Sequence, residues 1–211
     1  MERSIFMKTK RKDVGISCDL GRRLITLRGR IMLDTAVKLL MWLHALESQS
    51  LTEPIYFIFE ACAGGDWVAA KFMYACIRRL LPPTVGLAKR YVHSAAIAVY
   101  AATQERFAFE GTTFAFHTSE CWRTLLPQDR YTAQFHGKLT RETMLVDEEL
   151  FHVLSEGFHF QYTYTARILC EAEVQITARM GANPFGIFHH VVRYSDRKKR
   201  VKSAQDKEKK K

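Results

Sequence analysis

Three short segments of the sequence carry residue types suited to nucleophilic chemistry: Ser94, His117 and the pair Gly64-Gly65. Each follows a predicted strand, and in an open α/β sheet the reactive groups collect at the carboxyl ends of strands. A serine at the start of a helix lies beside unsatisfied backbone N–H groups, which together with the helix dipole favour negative charge. A nearby imidazole could remove the hydroxyl proton as a general base. Residues of these types at the ends of strands could together form a serine nucleophile with an oxyanion hole.

The glycine pair could supply a second backbone donor, because a residue without Cβ lets the main chain approach a reacting centre. Each element also has an ordinary interpretation. Ser94 could be only a helix N-cap, and the two glycines could form only a turn. His117 could be a hydrogen-bonded residue at a strand end. Taken one at a time, these residues do not decide the function.

The periodicity of the apolar residues predicts alternating strands and helices around these segments. The predicted strands cover residues 23–28, 55–62, 84–88, 107–109 and 113–116. Helices are predicted to begin near Asp34, Asp66 and Ser94, with a turn at 89–93. A long helix is predicted over 139–169, followed by a short closing segment, 176–192. This alternation implies βαβ crossovers and a mostly parallel sheet.

The charge of the 211-residue chain is concentrated at its two ends. Residues 1–12 carry five basic side chains and one acidic one, and residues 193–211 carry ten basic and three acidic ones. Of the total charge of +10, this leaves −1 for residues 13–192. We therefore expect a basic arm, one folded domain over 13–192 and a disordered basic tail. Because the body is nearly neutral, nucleic-acid binding is not the expected function.

Other classes of protein find little support in the sequence. Its strongly apolar stretches are far shorter than the roughly 20 residues that span a bilayer, so no membrane association is expected. Five cysteines at wide spacings, without a CxxC pair, favour a reducing compartment such as the cytoplasm or an organelle stroma. His189-His190 lacks further ligands at zinc-site spacing, so neither a metal nor a cofactor is expected.

Four segments together resemble the proteolytic subunit of the Clp protease and, more distantly, the Clp/crotonase superfamily. They are Arg23-Leu-Ile-Thr-Leu-Arg-Gly-Arg-Ile, Ile55-Tyr-Phe-Ile-Phe-Glu-Ala-Cys-Ala-Gly-Gly, Tyr91-Val-His-Ser-Ala-Ala-Ile-Ala-Val-Tyr-Ala-Ala and Arg106-Phe-Ala-Phe-Glu-Gly-Thr-Thr-Phe-Ala-Phe-His. The 23-residue separation of Ser94 and His117 is also close to that of the family. The resemblance implies a ββα superhelix with a mostly parallel sheet and a projecting long helix, arranged as a head and a handle.

Carried over by position, the resemblance makes Ser94 the nucleophile and His117 the base. It makes the N–H groups of Gly65 and Ala95 the oxyanion hole. The family's third catalytic residue is usually Asp, and aligning Gln175-Ile-Thr-Ala with the run that follows it places Glu173 there.

The resemblance implies a serine endopeptidase that hydrolyses unfolded polypeptides inside a chamber of one or two seven-membered rings. It also implies an AAA+ unfoldase as partner. The chain has no GxxxxGK[ST] motif of its own, so any use of ATP would belong to that partner. Two alternatives remain open. Cys62-Ala63 stands where the family has Ser-Pro, and the glycine-rich segment after the histidine is absent, which suits a catalytically impaired ring subunit. The other alternative is an acyl-binding enzyme of the crotonase type.

Overall fold

A computed structural model describes residues 15–118, 133–160, 163–179, 183 and 185–193. The predicted arm 1–12 and all but the first residue of the predicted tail lie outside these ranges. In chain order the elements are β1 (Gly15–Asp19), β2 (Leu24–Ile31), α1 (Leu33–Gln49), β3 (Ile55–Gly65), α2 (Trp67–Arg78), β4 (Thr84–Ala88), β5 (Tyr91–His93), α3 (Ala95–Ala101), β6 (Glu105–Phe109), β7 (Thr113–Ala115), α4 (Ala133–Phe158), α5 (Thr163–Glu171), β8 (Gln175–Thr177) and β9 (His190–Val192).

The described strands form one sheet in the order β8-β7-β5-β3-β4-β6-β9, with β2 beside β3 and β1 beside β2. Strands β2, β4 and β5 run parallel to β3, and the pairs β4–β6, β5–β7 and β6–β9 are parallel as well. Among the described strands, β1–β2 and β7–β8 are the antiparallel pairs. The predicted α/β fold with a mostly parallel sheet is therefore confirmed.

The core forms where β3 meets α3. Phe57 and Phe59 of β3 are fully buried, and every residue of α3 is buried too. The small side chains of α3 allow close packing, since a Cβ on Gly157 of α4 would lie only 2.6 Å from Ala101 Cβ. Close packing on several sides fixes the position of α3 and therefore of its first turn.

A buried arginine holds the other end of α3. The Arg106 guanidinium donates hydrogen bonds to the carbonyl oxygens of Thr103 (2.9 Å) and Ile187 (3.1 Å). It also lies 5.2 Å from the ring centroid of Phe158. A cation at the carboxyl end of a helix stabilises the exposed carbonyl groups there.

Two local predictions are wrong. The predicted turn at 89–93 contains β5, whose Val92 pairs with Cys62 on one side and Phe114 on the other. Three residues are too few to show a strand period, so pairing with its neighbours decides the structure. The predicted helix 139–169 is two helices. α4 ends at Phe158, His159 has a φ of 57°, and Phe160 N–H donates to Ser155 O at 2.9 Å, a helix-closing arrangement.

The closing segment adds a strand to each edge of the sheet, β8 beside β7 and β9 beside β6. Strand β1 was not predicted.

In the described ranges, none of the helices combines the length and the apolar character needed to cross a bilayer.

Candidate active site

Ser94 is the single residue between a strand and a helix. β5 ends at His93 and α3 begins at Ala95. Ser94 has φ 55° and ψ −137°, a strained conformation for a residue with a side chain. It occupies the N-cap position, but its hydroxyl makes no capping hydrogen bond. A strained serine at a sharp strand-to-helix turn is the geometry of a nucleophile elbow, in which the next backbone N–H contributes to the oxyanion hole.

The two glycines end β3 directly against this serine. A Cβ on Gly64 would lie 2.5 Å from Ser94 Cβ and 2.9 Å from Ser94 Oγ. A Cβ on Gly65 would lie 2.1 Å from the carbonyl oxygen of Ile31. Both residues also have positive φ, 88° and 139°. Neither position has room for a side chain, and the absence of Cβ brings the backbone of β3 to the nucleophile.

His117 follows the strand that anchors the serine. Ser94 N–H donates to Ala115 O at 2.9 Å, and His117 is two residues farther along the same chain, about 7 Å in an extended segment. His117 Nδ1 lies 2.6 Å from Thr118 O. Because a carbonyl oxygen only accepts, Nδ1 carries the proton and Nε2 is left as the basic nitrogen. Among the described residues, no hydrogen bond joins the Ser94 hydroxyl to this ring.

One cavity of about 780 Å³ brings these groups together. Ser94, Ala95, Gly65 and His117 all line it. Ala95 begins α3, where the first N–H groups of a helix have no intrahelical partner. The cavity is therefore lined by the residues that carry the hydroxyl, the imidazole and the two backbone donors that the sequence predicts.

Glu173, the acid predicted for the third place, lies outside the lining of this cavity. It is exposed, with a φ of 49°, in the turn between α5 and β8. Ala115 pairs with Gln175, and Phe116 N–H donates to Val174 O, so Glu173 precedes the segment that pairs with the strand leading to His117. In the described part of the chain, no hydrogen bond joins the two side chains.

A second histidine, His93, directly precedes the serine and was not singled out in the sequence. Its Nε2 lies 3.0 Å from Thr113 Oγ1, and its ring centroid lies 4.9 Å from that of Tyr91. Burial lowers the pKa of His93, and positive charge on His117 lowers it further. His93 is therefore favoured as a neutral imidazole beside the candidate base.

Cys62 lies two residues before the glycine pair but is not a competing nucleophile. Its side chain is buried, and Sγ donates to Leu27 O at 3.4 Å. Burial raises the pKa of its thiol to about 12, so the thiolate is not formed near neutral pH.

The wall opposite the serine comes from α4, which sequence reasoning did not connect with the site. Val146 and Leu150 line the cavity from this helix. Glu149 links α4 to the start of α2, because its Oε2 accepts from Trp67 Nε1 (3.3 Å) and lies 2.8 Å from Lys71 Nζ. Glu149 is far from Trp67 and Lys71 in the sequence, so the sequence gave no signal of these contacts.

Among the described residues, no group of three or more His, Cys, Asp or Glu is placed to hold a metal ion.

Comparison with known proteins places this geometry in context. The model of the family described as Clp protease matches residues 9–133, which include Ser94 and His117 but not Glu173. A solved structure of a ClpP1 point mutant from Listeria monocytogenes is similar, with a TM-score of 0.68 and 19% sequence identity. That match covers 84% of this chain and 95% of the other. No curated protein matches the sequence.

Proposed function

The chain belongs to the Clp protease family, and from this premise we propose that it is a serine endopeptidase that hydrolyses unfolded polypeptides. The observation that carries the proposal is the strained elbow at Ser94, which shares one cavity with His117 and with the backbone of Gly65 and Ala95. A hydroxyl, a base and two backbone donors are the groups that acyl transfer requires.

In the proposed mechanism, Ser94 Oγ attacks the scissile carbonyl while His117 Nε2 accepts the hydroxyl proton. The carbonyl oxygen becomes an oxyanion that accepts hydrogen bonds from the N–H groups of Gly65 and Ala95. The imidazolium then gives its proton to the leaving amine, and the C–N bond breaks to leave an acyl-enzyme. Water, deprotonated by His117, hydrolyses the ester and restores Ser94.

Two acceptors are available to orient the base. Thr118 O accepts from Nδ1 in the structure described above. We propose that Glu173, in the turn just before β8, takes this hydrogen bond when substrate is bound and stabilises the imidazolium. The side chain of Glu173 is exposed, so a change of its rotamer would not disturb the core.

We expect Gly64→Ala to lower kcat/KM for peptide hydrolysis by about 10²-fold, because the new methyl group would displace Ser94. Gly111→Ala is a matched control. Both glycines have a φ of 88°, but a Cβ on Gly111 would meet nothing within 4 Å. Both variants should lose thermal stability, and only Gly64→Ala should lose activity beyond its folded fraction. Equal activities in the two variants would show that the glycine contact does not position the serine.

Self-association is the second part of the proposal. Leu33, Val37, Leu40 and Met41 form an apolar face on α1, with exposures between 45% and 67%. On α2, which packs against α1, Val68 and Phe72 are exposed as well. An apolar surface of this extent marks an interaction site, and we propose that a second copy of this chain covers it in a heptameric ring, single or stacked in a tetradecamer.

We expect Met41→Lys to shift the assembled protein toward monomer, because it would bury an unpaired charge in the contact. Sedimentation velocity measures the shift. Gln49→Lys adds the same charge to an exposed position of α1 on another side of the helix from the apolar face, and should leave the assembly unchanged. A monomeric wild type, or identical behaviour of the two variants, would contradict the proposed contact.

The size of the cavity bears on the partner. A cleft of about 780 Å³ has room for a short extended segment of polypeptide, the form that an unfolded substrate presents. We therefore propose an ATP-driven AAA+ unfoldase as partner, in a reducing compartment such as the cytoplasm. The cysteines that the structure describes are free, as such a compartment favours.

Hydrolysis of fluorogenic peptides and unfolded casein by the assembled protein tests the proposed function. We expect cleavage of both, with loss of activity after treatment with a fluorophosphonate. The result against it is an assembled, folded protein that cleaves neither substrate and does not react.

One observation favours a second candidate, a catalytically silent ring subunit. Among the described residues, no hydrogen bond joins the His117 ring to the Ser94 hydroxyl, although the Nδ1 bond to Thr118 O leaves Nε2 available. If Nε2 does not reach Ser94 Oγ when substrate binds, the hydroxyl has no base. Such a subunit would assemble, and would enter rings with an active paralogue, without reacting with the fluorophosphonate.

A further inference from the structure

Arg30 is one strand away from the glycine that touches the nucleophile. In the parallel pairing of β2 with β3, Arg30 lies beside Gly64 and Ile31 lies beside Gly65. Neighbouring strands are about 4.8 Å apart, and Gly64 is in contact distance of Ser94. The exposed side chain of Arg30 lines the same cavity as Ser94 and His117.

Arg30 forms no ion pair within the described part of the chain. Two carboxylates line the same cavity, and neither is paired with Arg30: Asp66 Oδ1 accepts from Ala69 N–H at 2.8 Å as the cap of α2, and Glu142 has an interaction with another residue. Arg28, on the same strand, forms an ion pair with Glu60. Among the described residues that line the cavity, Arg30 is the one Arg or Lys. Its guanidinium can therefore donate hydrogen bonds to a ligand.

A guanidinium presents a planar fork of N–H donors that matches a carboxylate in a bidentate geometry. In a cleft with apolar walls the field of such a cation is less screened than on an open surface. Val146 and Leu150 provide walls of this kind. The ligand chemistry that suits Arg30 is therefore a carboxylate, and a peptide can supply it from an Asp or Glu side chain or from its C-terminus.

We propose that Arg30 is a specificity-determining residue, which favours peptides that place a carboxylate beside the scissile bond. This inference rests on the proposed peptidase function. Arg30 would bind the substrate carboxylate equally well in the ground state and in the transition state. Its removal should therefore raise KM and leave kcat nearly unchanged.

Three matched fluorogenic peptides distinguish the two sources of the carboxylate. One has Glu near the cleaved bond and an amidated C-terminus, the second has Gln there with the same amide, and the third has Gln with a free C-terminal carboxylate. A preference for the first over the second assigns the side chain, and a preference for the third over the second assigns the C-terminus. We expect about a fivefold preference for one carboxylate peptide in kcat/KM, carried by KM. It should shrink at 0.5 M salt, since exposed pairs are screened.

The variant Arg30→Gln should lose this preference. Arg22→Gln, which removes an exposed arginine in the turn between β1 and β2, should keep it. The inference is overturned if wild type shows no preference in either comparison, or if Arg30→Gln keeps the preference.

Binding of the same peptides to a Ser94→Ala protein, measured by fluorescence anisotropy, separates this inference from the proposed function. Arg30-dependent preference in binding, without cleavage by the wild type, would support the inference and reject the peptidase. Cleavage without preference would support the peptidase and overturn the inference. Peptides that neither bind nor are cleaved would overturn both.

Discussion

Replacement of Ser94 by alanine is expected to lower peptide hydrolysis by about 10⁴-fold or more, because the variant has no hydroxyl to form the acyl-enzyme. The fold should be retained. Ser94 makes no capping hydrogen bond with α3, and alanine is smaller than serine where Gly64 approaches. The Ser94→Ala variant should therefore have a melting temperature and an oligomeric state close to those of the wild type. Initial rates on a fluorogenic peptide at saturating concentration measure the effect.

Ser48→Ala is the matched control. Ser48 is exposed on α1, where its hydroxyl donates to Ala45 O at 2.9 Å. Full activity is expected of this variant. If Ser94→Ala retains more than about a tenth of the wild-type rate in a pure, assembled sample, Ser94 is not the nucleophile.

The next largest effect is expected for His117→Ala, with kcat falling about 10³-fold through loss of the general base. KM should change little, because the ring acts on the reacting hydroxyl and on the leaving amine. Glu173→Gln should have a smaller effect than His117→Ala, since Thr118 O can still accept from Nδ1 when the carboxylate is gone. Its loss of rate measures how much the carboxylate adds to stabilising the imidazolium.

His152→Gln, an exposed substitution on α4 outside the cavity, is the control for the loss of a histidine. It should retain the wild-type rate. An active His117→Ala variant would exclude this ring as the base and direct attention to His93, the other imidazole next to Ser94.

The parts of the site that could be predicted are those with a local signal. The continuous apolar run of β3 marks a strand, and the glycine pair marks its end. The run does not show which face is covered: Ile55 and Phe57 are buried, whereas Tyr56 between them is exposed. The alanine-rich segment after Ser94 marks a helix that packs closely, as α3 does. Because the strand end and the helix start are both visible in sequence, the positions of Gly65, Ser94 and Ala95 follow from them.

The parts that sequence reasoning missed depend on contacts between distant segments. β5 is three residues long and exists because Val92 pairs with a strand on either side. The break between α4 and α5 depends on the positive φ of His159. This residue is neither glycine nor proline, so the sequence gives no signal of a helix end at this position. Arg30 gave no signal as a cavity residue, since its place beside Gly64 comes from the register of β2 on β3. Register is set by packing of whole strands and not by one residue.

For Glu173, the sequence predicted the position in the chain but not the direction of the side chain. The alignment that selected it was local, and the structure puts it in the turn just before β8, the strand that pairs with β7 ahead of His117. The direction of its exposed side chain depends on solvent and substrate, which neither periodicity nor pairing determines. Its role as the orienting acid stays a prediction, to be tested by the Glu173→Gln variant.

The most direct test of the central claim is to treat the assembled wild-type protein with a fluorophosphonate and to map the modified residue by peptide mass spectrometry. We predict a single adduct on Ser94 Oγ, with a rate that falls sharply in His117→Ala and with no adduct in Ser94→Ala. An assembled, folded protein that stays unmodified at Ser94, or carries its adduct on another residue, would contradict the assignment of this elbow as a working nucleophile.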